Sequence, residues 1–372
     1  MGIIRILLAV SVLIAHSTPL FGLELVSGDI AVELFFIISG FYMALVLSEK
    51  YTLEKDKLFW LNFYKSRFLR LYPVFVTLSV CGWIYFGLLA LYFGKVPANG
   101  FLEIYERMPW WGDAFAIFSN LTMIGQDIPS LFHISPDGTM HLFYSRIAGT
   151  TEDGAIWVGQ VRSIGQAWSI GTEIWFYLLA PFFVGRSNVI IAAIAIISLS
   201  LKIFMEFHLH YLTYFFFPAQ LVFFLIGVLA YKIGKLYSFI HLKTSGFIGL
   251  SLFSLSVIVY QIVNSQYYQI YLFILLGLFI YPIFCLTANS QTDRFIGELS
   301  YPIYMVHMLI ISVTNPVFHK LLGLKVAPSW IFLTLSIIAS VLIYFYIEKP
   351  FNQYRKRFAT QEKAIIENNK FI

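Results

Sequence analysis

The stretch Gly2-Ile3-Ile4-Arg5-Ile6-Leu7-Leu8-Ala9-Val10-Ser11-Val12-Leu13-Ile14-Ala15-His16 opens the chain as an apolar run carrying a guanidinium near its start and an imidazole at its close. An ionisable side chain in the hydrocarbon region costs roughly 2.5 to 3.5 kcal/mol on insertion scales, so it normally faces a protein interior or a water-filled path. Arg5 and His16 are eleven positions apart. On a helix that spacing is about 20° beyond three full turns and a rise of roughly 16 Å. The two residues therefore share one helix face, with Arg5 near a membrane surface and His16 near mid-depth, and together they make a functional hypothesis.

Composition extends the same reading to the whole chain. Of its 372 residues, 59% are hydrophobic, 19% aromatic and 12% charged, and mean hydropathy is +0.77. Charge this scarce excludes a soluble domain of this length and describes a polytopic membrane protein. Cys81 and Cys285 both lie in apolar segments, which argues against a disulfide framework or a thiolate metal site. The first segment has the length of a signal peptide, but it lacks a small-residue cleavage pattern and leads into a second hydrophobic span. It is read as retained.

Apolar runs long enough to cross about 30 Å of hydrocarbon predict an all-α integral membrane protein of about ten transmembrane helices. They fall near residues 3–22, 29–48, 72–94, 167–185, 188–205, 211–231, 245–263, 268–287, 299–318 and 329–347. With the N-terminus cytoplasmic, the inner loops and helix ends collect Lys50, Lys55, Lys57, Lys65, Arg67, Arg70, Lys232, Lys235, Lys243, Lys349, Arg355, Lys356 and Arg357, so both termini are expected inside. Topology and anionic headgroups then account for the net charge of +5, and nucleic acid is not implied. One transmembrane domain is expected over residues 1–351 and a basic cytoplasmic tail over 352–372. An outward stretch over about 95–166 holds Pro109-Trp110-Trp111, His133, His141, Glu152 and Asp153. That stretch reads either as a structured loop with interfacial tryptophans or as a cover that meets sugar through aromatic faces.

Four further groups of residues bear on chemistry. Glu33 lies among large apolar residues of the second span, where it must either stay neutral or find a cation, and His16 on the preceding helix is the candidate partner. Arg67 and Arg70 are three apart before Tyr72-Pro73; they suit phosphate oxygens, but by position alone the ordinary positive-inside bias is the stronger reading. Ser169 and Glu173 stand at i and i+4, able to orient a polyol or simply to cap a helix and complement its dipole. Ser300, Tyr304 and His307 form a polar stripe that reads as a packing seam or a cavity wall.

Taken in order, these residues resemble a known family. The Arg5 to His16 spacing, Val32-Glu33-Leu34-Phe35-Phe36-Ile37-Ile38-Ser39-Gly40-Phe41, Arg67 and Arg70 before Tyr72-Pro73, Trp168-Ser169 with Glu173 and Phe176-Tyr177, Ser300-Tyr301-Pro302-Ile303-Tyr304 with His307, and Glu348-Lys349-Pro350 resemble the membrane-bound acyltransferase family 3. Its members O-acylate bacterial surface polysaccharides. Two departures stand out: Ile6 follows Arg5 where the family usually has Gly, and Glu33 replaces a common Asp.

The resemblance implies a membrane O-acyltransferase in the bacterial cytoplasmic membrane, with acyl-CoA, acetyl-CoA first, as co-substrate and no permanently bound cofactor. It implies His16 as general base supported by Glu33, or alternatively as a transient acyl carrier, with donor phosphates held by Arg67, Arg70 and Arg5. Ser169, Glu173, Tyr304 and His307 fall to the acceptor side or to structure. The acceptor is a polysaccharide or its lipid-linked precursor, the surroundings are membrane lipids, and a separate extracytoplasmic acyltransferase is a further expected partner.

The residues alone leave other classes open. A proton-coupled secondary transporter would use His16, Glu33, Glu173 and His307 as a relay, although no inverted repeat is found; a polysaccharide-export scaffold would not need the aligned Arg5 and His16. No metal is expected, because the only close histidine pair, His208 and His210, reads as a solvated loop.

Overall fold

The computed structural model describes residues 1–49, 57–93, 101–142, 154–236, 242–263, 267–323 and 326–355. Lys50, Lys55, Glu152, Asp153, Lys356, Arg357 and nearly all of the expected tail lie outside the described residues. The helices are α1 (Gly2–Ala15), α2 (Gly28–Glu49), α3 (Lys57–Phe93), α4 (Phe101–Arg107), α5 (Trp110–Thr122), α6 (Trp168–Val184), α7 (Asn188–Leu209), α8 (Phe217–Leu236), α9 (Leu242–Val263), α10 (Tyr268–Thr287), α11 (Gln291–Leu322) and α12 (Ser329–Ile343). Among the described residues, nine helices are long and apolar enough to cross a membrane.

The difference from the expected ten lies in the first segment. Expected over residues 3–22, the helix ends at Ala15, and its 14 residues rise only about 21 Å, short of the hydrocarbon thickness. The cause is local. Pro19 disfavours helical backbone at Thr18, and the Ser17 hydroxyl donates back to Leu13 O at 2.9 Å. Beyond it, Phe21 and Gly22 both take positive φ between the bridged Leu20 and Leu23, which is a tight primed turn. His16 is therefore a helix cap and not a mid-helix residue.

The chain forms two compact units. The first comprises Met1–Val74, Tyr177–Arg186 and Ile226–Ile372. Within it α1 packs on α2, α11 and α12. Helices α1 and α11 run parallel: Gly2 meets Gly297 at one end, Ala9 meets Leu299 and Ile303 midway, and Leu13 meets Ile311 further along. A Cβ on Gly297 would lie 2.8 Å from Gly2 Cα, so the pair of glycines sets the crossing distance. Asp293 then ties the ends together, accepting from the backbone N–H of Gly2 at 2.8 Å and of Ile3 at 3.0 Å. It thereby satisfies donors that the first turn of α1 cannot pair internally.

After α12 the helix widens into a π-turn over Tyr344–Glu348 before continuing to Arg355. Pro350 explains the change: it offers no N–H to Tyr346 O, and its ring would collide with that carbonyl in a regular helix.

The second unit comprises Phe75–Phe176 and Ser187–Leu225. Its segment between α3 and α6 has a core of its own, formed by Ile104, Met108, Ala116, Ile134, Ile156, Val158 and Val161. Strands β1 (Phe132–Ile134), β2 (Met140–Leu142) and β3 (Ile156–Trp157) make an antiparallel sheet in the order β2, β1, β3. Asn120 joins the pieces, donating to Val161 O at 2.8 Å and accepting from Ser163 N–H at 2.9 Å. Trp110 and Trp111 are exposed.

Candidate active site

His16 closes α1 with its Nδ1 2.8 Å from Val12 O. A carbonyl oxygen only accepts, so the contact assigns the proton to Nδ1 and leaves the lone pair on Nε2. The ring is exposed, which makes that lone pair available to an incoming group. At its other side stands His307, with ring centroids 5.2 Å apart. His307 is fully buried and repeats the pattern, its Nδ1 2.6 Å from Tyr304 O. Its Nε2 is buried without a hydrogen-bond partner among the described residues.

The rest of the α11 stripe packs against α1 and α2. Ser300 is fully buried and donates to Gly297 O at 2.7 Å, while the buried Tyr304 meets Phe35 edge-on at 6.1 Å. The stripe is thus a helix seam that ends in an imidazole pair. Glu33 is buried, 6% exposed. It follows Gly28 by five residues, about 140° around α2, and Gly28 is the residue whose Cβ would approach His16 Cε1 at 3.9 Å. Glu33 shares its face with Ile37 and Phe41, whose backbone leaves no room for a Cβ on Gly227 of α8.

At the Arg5 end of α1 lies a cavity of about 320 Å³. Its lining includes Arg5, Arg70 from α3, Arg294 from α11, Arg355 after the π-turn, Tyr42, Glu298 and Glu348. Four guanidiniums from four segments suit an anion with several oxygens. Gly297 also contributes, since a Cβ there would come within 3.5 Å of Arg5 Nη1. Arg355 Nη1 is buried without a hydrogen-bond partner among the described residues. Glu348 lies within electrostatic reach of Arg5, Arg70 and Arg355. Arg67 is buried, reaches Arg355 electrostatically, and is not among the lining residues.

Arg5 and Arg70 both line this cavity, and Arg67 does not. Sequence reasoning missed Arg294, Arg355 and the placement of Glu348. The available signal was the spacing of Glu348, Asn352 and Arg355 at i, i+4 and i+7, one helical face, all three lining the cavity.

Ser169 belongs to the second unit, where it is buried and donates to Gln166 O at 3.0 Å, the local pattern of a helix start. Glu173, one turn later, is half-buried. Beside them Asp127 accepts from Trp175 Nε1 at 3.1 Å. Burial of Asp127 pushes its carboxyl up to about 6, against the pull of Trp175 and Arg162. Among the described residues, no three His, Cys, Asp or Glu side chains converge to hold a metal ion.

A family model described as an acyltransferase domain matches residues 1–349. None of the curated proteins and none of the solved structures matches the chain.

Proposed function

Because the chain belongs to that acyltransferase family and its apolar helices make it a multi-pass membrane protein, we propose that it moves an acyl group, acetyl first, from acyl-CoA to a hydroxyl of a cell-surface polysaccharide or its lipid-linked precursor. The bacterial cytoplasmic membrane is the setting, with the Arg5 end of α1 facing the cytoplasm. The observation that carries this reading is α1 itself, which has a cationic cavity at one end and, about 16 Å along, an exposed imidazole with a free Nε2 lone pair.

The donor's phosphates bind Arg5 and Arg70, joined by Arg294 and Arg355, while Arg67 holds the field from behind. Its thioester arm extends along α1 to His16. The acceptor O–H gives its proton to His16 Nε2, its oxygen bonds to the acyl carbon, and the carbon–sulfur bond breaks. The proton then passes to the leaving sulfur, giving ester and free CoA. General base catalysis of this kind contributes typically 10²- to 10⁴-fold. Glu33, buried in α2, supports His16 electrostatically. Ser169 and Glu173, in the second unit, serve the acceptor or the structure of that unit.

The test is CoA release in proteoliposomes supplied with acetyl-CoA or succinyl-CoA and a crude polysaccharide acceptor. Wild type should release CoA, and His16→Ala, at matched membrane levels, should fall by about 10²-fold or more. Equal release by the two proteins would refute the assignment.

A further inference from the structure

We infer that His307 is the positioning partner of His16 and the second holder of the proton that His16 removes. The inference rests on the acyl-transfer reading and adds a residue to it. It starts from the buried, unpartnered Nε2 of His307, set beside His16 at a centroid separation of 5.2 Å. The resting rings are tilted and make no hydrogen bond to each other; at that centroid separation a ring rotation is enough to bring two nitrogens to about the 3 Å of a hydrogen bond.

Both imidazoles spend their Nδ1–H on a carbonyl of their own helix, Val12 O for His16 and Tyr304 O for His307. Both Nε2 atoms therefore carry lone pairs in the resting protein, and no hydrogen lies between them. A buried acceptor left unsatisfied is destabilising, more so than an apolar side chain at this fully buried seam position. The arrangement becomes favourable only when a donor appears. His16 Nε2 becomes that donor once it has taken the acceptor's proton, because the imidazolium Nε2–H then finds His307 Nε2 waiting.

The step balances without any further reactant. The acceptor O–H breaks and the proton joins His16 Nε2, where His307 Nε2 shares it. The acceptor oxygen bonds to the acyl carbon, and the proton leaves the pair for the departing sulfur. His307 touches neither donor nor acceptor in this scheme. It holds the imidazolium in place and lowers its energy during the interval between the two transfers.

The discriminating comparison is His307→Phe against His307→Gln, at levels matched by fluorescence-detected size-exclusion chromatography. Phe keeps a ring and removes both nitrogens, whereas Gln places its Oε1 acceptor near the position of Nε2. A proton-sharing role predicts that Phe lowers kcat about 10²-fold with donor KM unchanged, and that Gln retains at least about ten times the activity of Phe. A packing role predicts the reverse order, so Phe equal to or above Gln overturns the inference. Should the Phe protein fail to elute as a monodisperse species, His307→Leu replaces it under the same criterion.

A double variant completes the test. Added to His16→Ala, His307→Phe should cause no further loss, since its effect passes through His16. A full additional loss overturns the inference. Equal CoA release by wild type and His16→Ala would instead sink the acyl-transfer reading itself, while His16-dependent release with Phe at or above Gln sinks only the role of His307.

Discussion

Arg355 shows how one side chain can be visible in a sequence and its purpose invisible. A cation just beyond the last span is what the positive-inside bias places there in any case. Its entry into the cavity depends on a π-turn at Tyr344–Glu348 that no hydrophobic periodicity reports. Arg5 was legible for the opposite reason, since a guanidinium inside an apolar helix demands an explanation, whereas Arg70 acquired a role only through the family resemblance. Arg355→Ala should raise the KM for acyl-CoA about tenfold and leave kcat within about twofold, as expected when an interaction made equally in ground and transition state is lost. Initial rates against donor concentration decide it, and an unchanged KM would remove Arg355 from the donor site. His307 was legible as part of a stripe, but the stripe left a packing seam and a cavity wall equally open. Only the three-dimensional placement of its unpartnered Nε2 beside His16 separates the two.

At the level of the helix, α1 is held by its neighbours more than by its own length. Its start is capped from another element by Asp293, and its crossing with α11 is set by Gly2 and Gly297. Gly297→Ala forces a methyl to within 2.8 Å of Gly2 Cα and 3.5 Å of Arg5 Nη1. Relief requires the two helices to separate, a strain of about 1–3 kcal/mol. A lower melting temperature together with a higher donor KM is the expected outcome. Thermal unfolding in detergent would check the first and rate measurements the second, and wild-type behaviour in both would show that the crossing has slack. The expected first span was wrong at its far end, because a hydrophobicity window continues through Ser17-Thr18-Pro19 while the backbone cannot. The shorter helix makes His16 its cap, where the ring is exposed and its Nδ1 reaches Val12 O.

Over the whole molecule, the two compact units differ in what holds them. The first is a helical assembly, and its apolar helical character was readable from composition. The second adds a small α/β region whose buried polar groups carry much of its organisation, and no apolar period announces those groups. Asp127 makes this measurable. Burial raises its folded-state carboxyl to about 6 from an ordinary 3.8, so its contribution is most favourable below pH 4 and is lost as pH rises through 6. His133, whose burial lowers its pKa, acts in the opposite sense as pH falls below its usual 6.5. Asp127→Asn removes the first effect and leaves the second. The variant should therefore be more stable relative to wild type at pH 7 than at pH 4 in thermal unfolding followed through tryptophan emission. A difference independent of pH would show that Asp127 is not titrating in the folded unit. In the first unit, the tethering of α1 by Asp293 has a consequence for selectivity. A helix anchored at its first turn and seated beside His307 at its last can neither stretch nor slide, so it works as a gauge. Under the proposed function, a donor gripped by its phosphates at one end would deliver its acyl carbon only if its arm matched the length of the gauge, and molecules of the right charge but the wrong reach would be turned away without any residue having to reject them.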